Sequence, residues 1–165
     1  MLFRSEIVNL PFLRQMARYK RPMIVSTGNS TMAEVEAAVR TIEPEGAAFA
    51  LLHCVSQYPA DAASANLRAM DTMKAAFGVP VGFSDHTLGC AVPIAAAALG
   101  AAVIEKHYTL DRRRAGPDHR ASLEPGELRT LIRDVRLAEA ALGDGRKRPS
   151  AGEPEDRKST RLNSS

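Results

Sequence analysis

Four short runs of apolar and β-branched residues, PMIVS (22–26), AFALLHCV (48–55), VPVGFS (79–84) and AAVIEKH (101–107), are each followed by a longer segment with helical spacing. The last polar residues of these runs, Ser26, His53, Ser84 and His107, stand 27, 31 and 23 residues apart. That is the pitch of strand–helix units whose strands pair in parallel through right-handed crossovers. After the first run, Thr31 and Glu34 have capping-box spacing, and Met32, Val35, Val39 and Ile42 form one stripe. After the second, Leu67, Met70, Met73 and Phe77 share a face that stops at Gly78. The third leads into the small-residue helix AVPIAAAALG. The last helix starts at Pro125 and presents Leu128, Leu131, Ile132, Val135, Ala138 and Leu142 before Gly143. The opening MLFRSEIVNLPFL has room only for the end of one more strand and a helix over about 11–19, so the chain enters mid-pattern.

Two architectures share this rhythm. A doubly wound sheet carries a glycine-rich phosphate turn after its first strand, and no glycine here is spaced as G-x-G-x-x-G. In a (β/α)8 barrel, reactive side chains come from the C-terminal ends of several strands, and here every strand ends in a polar, chemically competent residue. The expected fold is therefore α/β, an incomplete (β/α)8 TIM barrel with about its last five strands. Residues 1–145 form that barrel portion, and 146–165 form a disordered linker whose last residues look appended.

Composition narrows the function. The net charge of +3 lies entirely in 146–165, which holds six Lys/Arg and three Asp/Glu, leaving a neutral body. With only three Tyr, five Phe and no Trp, that body offers neither a basic footprint nor stacking platforms for nucleic acid. No apolar stretch approaches the roughly 18 residues of a membrane span, and MLFRSEIVNL lacks the pattern of a secretory leader, so no membrane partner and a cytoplasmic location are expected. Cys54 and Cys90 sit inside apolar runs, which reads as buried free thiols.

His86 and His107 occupy equivalent places on consecutive strands, so in a parallel barrel their side chains are neighbours over one end, and neutral imidazole is the commonest protein metal ligand. A lone strand-end histidine is more often bonded to a backbone carbonyl; two in register favour a metal. Asp85 and Glu105 flank them and are expected to point the opposite way, into salt bridges or orienting contacts. Ser26, Thr27 and Ser84 offer hydroxyls suited to a phosphate or carboxylate, or to helix capping. HCVSQYP places His53, Ser56 and Tyr58 above the second full strand, with Tyr58 either a site residue or a packed loop ring. RRRAGPDHRAS forms a loop over the last strand from which Asp118 is a substrate-contact candidate.

RPMIVSTGNST, LLHCVSQYPA, VGFSDHTLG, VIEKHYTLDR and AGPDHRASLEP, in this order, resemble the sialic acid synthase family: the N-acetylneuraminate synthases and their legionaminic, pseudaminic and spore-coat relatives. The resemblance covers nearly all of residues 6–157. It implies a barrel fused to a small C-terminal antifreeze-like domain that reaches into the partner's site in a homodimer. The implied reaction is C–C bond formation between phosphoenolpyruvate and an N-acetylated amino sugar with release of phosphate. On this resemblance His86 and His107 hold a divalent metal, Mn2+ or Mg2+. Ser26, Ser56 and Ser84 contact phosphoenolpyruvate, Tyr58 and Asp118 face the sugar, and Glu6 in RSEI lies near the reacting carbons. The strand-four lysine of the family falls at Met1, and strands one to three, with a carboxylate and another lysine, have no counterpart. The expectation is that the chain alone is inactive. Two other readings stay open on the residues: a metal-dependent hydrolase barrel, and a non-catalytic binding module with structural histidines.

Overall fold

The computed structural model describes residues 2–3, 7–116, 118–150 and 152. Five strands, β1 (Leu2–Phe3), β2 (Met23–Ser26), β3 (Phe49–Cys54), β4 (Val81–Asp85) and β5 (Ile104–Lys106), pair in parallel in the order β1-β2-β3-β4-β5. They alternate with helices α1 (Leu10–Arg18), α2 (Met32–Ile42), α3 (Ala69–Phe77), α4 (Ala91–Ala98) and α5 (Pro125–Leu142). A doubly wound sheet reverses its strand order at a switch point. The order here never reverses, and the result is a curled half-barrel with a helix layer. Among the described residues, no helix is long and apolar enough to cross a membrane.

The registers Ser26↔Leu52, Cys54↔Ser84 and Ser84↔Glu105 set one face of the sheet; Val25↔Leu51↔Val81 and His53↔Phe83↔Ile104 set the other. The second face carries the core. Val25, Leu51, Val81 and Phe83 are buried there against Leu13, Val35, Val39, Ile42, Met70 and Met73 from the helices. Full burial of one such side chain contributes about 1.5–3 kcal/mol, so the core fixes which face remains for chemistry.

Local sequence explains the helix ends. The Asn9 side chain accepts from the Phe12 amide, with Pro11 in the first turn of α1. Thr31 and Glu34 form the expected capping box on α2, and Gly78 takes the left-handed turn (φ 64°) that ends α3. At α5 the carboxylates of Glu124 and Glu127 form the capping box. Gly82 in β4 is needed for a different reason. A Cβ there would stand 2.3 Å from the Val103 carbonyl oxygen and 2.8 Å from Leu52 Cδ2.

Three expectations need adjustment. The helix after β3 begins only at Ala69, because a 3-10 turn at Ala62–Ser64, capped by Asp61, and the left-handed Asn66 (φ 42°) come first. On α5 only Leu131 is buried, while Ile132 and Leu142 are more than half exposed. Met32, at the first turn of α2, is likewise largely exposed.

Candidate active site

Alternation beyond Ser84 and Glu105 carries His86 and His107 to the face opposite the core. Their ring centroids lie 5.2 Å apart, with the planes inclined at 57°. Tyr58 packs against both, 4.1 Å from the His86 ring and 5.5 Å, edge-on, from the His107 ring. The Tyr58–Pro59 peptide bond is cis. His86 Nδ1 is 2.8 Å from the Val55 carbonyl oxygen. A carbonyl only accepts, so the proton sits on Nδ1 and Nε2 carries the lone pair. The Asp118 carboxylate stands 3.9 Å from His107 Nδ1, near that ring but beyond hydrogen-bond distance. Both Nε2 atoms are shielded from solvent.

This tautomer logic is what a metal ligand requires, because a coordinating imidazole normally donates its other N–H to a carbonyl or carboxylate. The two rings thus fit two positions of a divalent cation. Among the described residues no third His, Cys, Asp or Glu joins them in a cluster able to hold a metal.

Below the histidines the same face is polar. Ser84 Oγ donates to Glu105 Oε1 at 2.7 Å, and Cys54 lies between Ser26 and Ser84 with Sγ 3.8 Å from His86 Nδ1. Burial acts to raise the Cys54 pKa, but hydrogen bonds with His86, Ser26 and Ser84 outweigh it. The thiol is held below its ordinary 9.0. Ser26 and Ser84 are buried at 5% and 2% exposure, so their hydroxyls face inward rather than capping from the surface.

Ser56 stands apart from the histidines. Its Oγ occupies the space where a Cβ on Gly28 would fall, at 2.4 Å, so the glycine after β2 is what admits the loop after β3. A cavity of about 830 Å³ lies between these two loops, lined by Thr27, Asn29, His53, Cys54, Ser56 and Arg68. It flanks the histidine pair and meets it at Cys54.

The structure therefore gathers His86, His107, Tyr58 and Asp118, sets Ser26 and Ser84 beneath them, and leaves Ser56 at the neighbouring cavity. Glu6 lies outside the described residues. Two sequence expectations are corrected. His53 is on the core face, with Nε2 bonded to the Ala65 carbonyl at 2.8 Å and its ring tilted over Phe83, because it alternates in phase with buried Leu51 and it is Cys54 that faces the site. Glu105, two residues before His107, shares the histidine's face; only Asp85 points away, into an ion pair with Lys106. Cys54 and Gly28 were not among the expected site residues. The signal for Cys54 was its place opposite Ser84 in the register.

The loop over the mouth is built by its own arginine. The Arg112 guanidinium donates to the Ser122 carbonyl at 2.9 Å and pairs with Glu127, while Ser122 Oγ donates to the Asp118 carbonyl at 2.8 Å. Arg113 pairs with Asp111, so two of the three adjacent arginines hold the loop that presents Asp118.

Comparison with known proteins places this geometry. Residues 4–147 match the NeuB family model. The chain is 47% identical over 152 residues to N,N'-diacetyllegionaminic acid synthase of Campylobacter jejuni, covering 90% of this chain and 46% of that protein. It is 44% identical over 136 residues to mouse N-acetylneuraminate-9-phosphate synthase, covering 82% and 38%. The crystal structure of N-acetylneuraminic acid synthetase from Leptospira borgpetersenii in complex with citrate superposes with a TM-score of 0.83 at 40% identity, over 88% of this chain and 51% of that one. A truncated 3-deoxy-D-arabino-heptulosonate 7-phosphate synthase from Thermotoga maritima, at 18% identity and a TM-score of 0.71, shares the fold. The chain spans about half the length or less of these relatives. From the family match and these identities, the chain belongs to the NeuB family.

Proposed function

We propose that this chain forms the C-terminal strands of a (β/α)8 synthase barrel. The barrel condenses phosphoenolpyruvate with an N-acetylated aldehyde sugar of the N-acetylmannosamine type and releases phosphate. The observation that carries the reading is the histidine pair: two rings 5.2 Å apart, with His86 held in the Nδ1–H tautomer by Val55. The names of two relatives, N,N'-diacetyllegionaminic acid synthase and N-acetylneuraminate-9-phosphate synthase, support the same chemistry.

His86 and His107 hold a divalent cation, Mn2+ or Mg2+, through Nε2. Such a cation, when bound, supplies Lewis acidity toward the sugar aldehyde. Ser26, and Ser84 once its single hydroxyl proton turns from Glu105 Oε1 to the ligand, donate hydrogen bonds to phosphoenolpyruvate oxygens, and Ser56 does so from the edge of the adjoining cavity; these bonds strengthen as negative charge leaves with the phosphate. Tyr58, packed over the His86 ring and edge-on to the His107 ring, closes one wall and places its hydroxyl toward the sugar. Asp118, near His107 and at 54% side-chain exposure, retains reach to a sugar hydroxyl. Glu6 acts near the reacting carbons, and the assembled enzyme is a homodimer. An amidohydrolase-type metal site needs an aspartate at the last strand end; that strand ends in Glu105, Lys106 and His107, and Asp85 at the end of β4 is engaged by Lys106 on the far face.

The test is a titration of the purified chain with Mn2+, followed by loss of the free-ion electron paramagnetic resonance signal. The expected result is one site that disappears in His86→Ala and in His107→Ala. Added phosphoenolpyruvate raises the melting temperature through linkage. A chain that is folded and takes up no Mn2+ refutes the metal assignment. A chain that binds Mn2+ but is not stabilised by phosphoenolpyruvate refutes the substrate.

A further inference from the structure

We infer that Asp85 and Lys106 are positioning residues that set the distance between His86 and His107. The inference rests on the reading of those histidines as ligands of one divalent cation. The two side chains meet on the core face of the sheet, at 0% and 3% exposure, with Lys106 Nζ 2.5 Å from Asp85 Oδ2. Nζ also donates to the Thr87 carbonyl at 2.6 Å, and Asp85 Oδ1 accepts from the Thr87 amide at 2.9 Å. Both backbone polar groups of Thr87 are therefore taken up by the pair. His86 is the single residue between Asp85 and Thr87, and Lys106 immediately precedes His107. The backbones carrying both imidazoles are thus tied to one buried ionic knot, while alternation keeps that knot off the histidine face and away from any reacting atom.

Stability alone does not account for this arrangement. A buried ion pair replaced by apolar side chains of similar volume is often as stable or more so. An apolar pair here would fill the space, yet nothing in it would hold the Thr87 amide and carbonyl. What the ion pair adds is direction: it anchors the chain on either side of His86 to β5 at the level of His107. Ligand nitrogens must lie about 2.0–2.2 Å from a first-row divalent ion, so a shift of roughly half an ångström between strand ends is felt in affinity.

The decisive variant is the double substitution Asp85→Leu/Lys106→Leu, which restores apolar packing, with Asp85→Asn as a second variant that keeps volume and a neutral hydrogen bond. The full chain is titrated with Mn2+ by electron paramagnetic resonance, well below each variant's melting temperature. The visible absorption of the Co2+ form reports coordination geometry. The expected result for the double variant is a cooperative melt, Mn2+ affinity weakened about 10–100-fold as for other outer-shell changes, and an altered Co2+ spectrum. The expected result for Asp85→Asn is a smaller loss. Folded variants with parental Mn2+ affinity and Co2+ spectrum overturn the inference and leave the pair a structural element. A parental chain that binds no Mn2+ is a separate outcome: it removes the metal reading, and the inference with it.

Discussion

Replacing Gly82 by alanine tests the close approach of β4 and β5, on which the spacing of the site depends. An alanine Cβ would stand 2.3 Å from the Val103 carbonyl oxygen, 2.9 Å from Val103 Cβ and 2.8 Å from Leu52 Cδ2. The leucine tip can rotate away; the carbonyl cannot, because it accepts the Phe83 amide at 2.8 Å within the sheet. Overpacking typically costs about 1–3 kcal/mol, and contact with fixed backbone belongs at the upper end. Alanine returns about 0.5–1 kcal/mol of backbone entropy relative to a strand glycine. The net expectation is a loss of about 2 kcal/mol, which lowers the melting temperature of a chain of this size by about 4–8 °C. Differential scanning calorimetry of the two chains side by side reads this directly. Gly82→Ala melting at or above the parent temperature would refute the argument, and would mean that β5 has room to move away from β4.

Further substitutions address the site and the helix caps. Gly28→Ala displaces Ser56 Oγ from the 2.4 Å position it takes over the glycine; phosphoenolpyruvate should then stabilise the variant less than the parent in thermal shift, and equal stabilisation would remove Ser56 from the binding surface. Thr31→Ala removes the side-chain cap of α2 and should cost about 1 kcal/mol in urea unfolding, a loss that an unchanged midpoint would contradict. Hydrogen bonds from the Thr31 backbone amide and then its hydroxyl hold the Glu34 carboxyl below its ordinary 4.5. A lowered folded pKa gives stability that is fully present above pH 4.5 and lost as pH falls through the folded value. The stability gap between parent and Glu34→Gln should therefore shrink on acidification in that window, and a gap that stays constant would show that the carboxylate charge is not what caps the helix.

Much of this was legible in the sequence because each strand has two faces with different tasks. Val25, Leu51, Val81 and Phe83 had to be buried, and that requirement alone puts Ser26, Ser84 and His86 on the opposite side. The same alternation from Leu51 puts His53 on the core face; treating it as the polar end of its strand set it above the sheet instead. That treatment also hid Cys54, whose apolar neighbours read as core while its cross-strand partner Ser84 belongs to the site. Gly28 and Ser56 meet only because the loops after β2 and β3 fold toward each other, and no local periodicity encodes that approach. The Asp85–Lys106 pair likewise needed the β4–β5 register, which aligns two residues 21 apart in the chain.

The uninterrupted strand order has a consequence for how such a site comes into being. Every paired position in the sheet joins neighbours between 21 and 30 residues apart, as in Phe83↔Ile104 and Leu51↔Val81. Loop-closure entropy at these lengths is modest and nearly equal for each step, since doubling a loop adds only about 0.6 kcal/mol. Each new strand can dock on the one made just before it as the polypeptide emerges from the ribosome, and the rising edge is the template for the next. His107 arrives with β5, when the backbone bearing His86 is already in place. The two rings are brought together by the docking of β5 on β4, so their pairing reports that this step is complete.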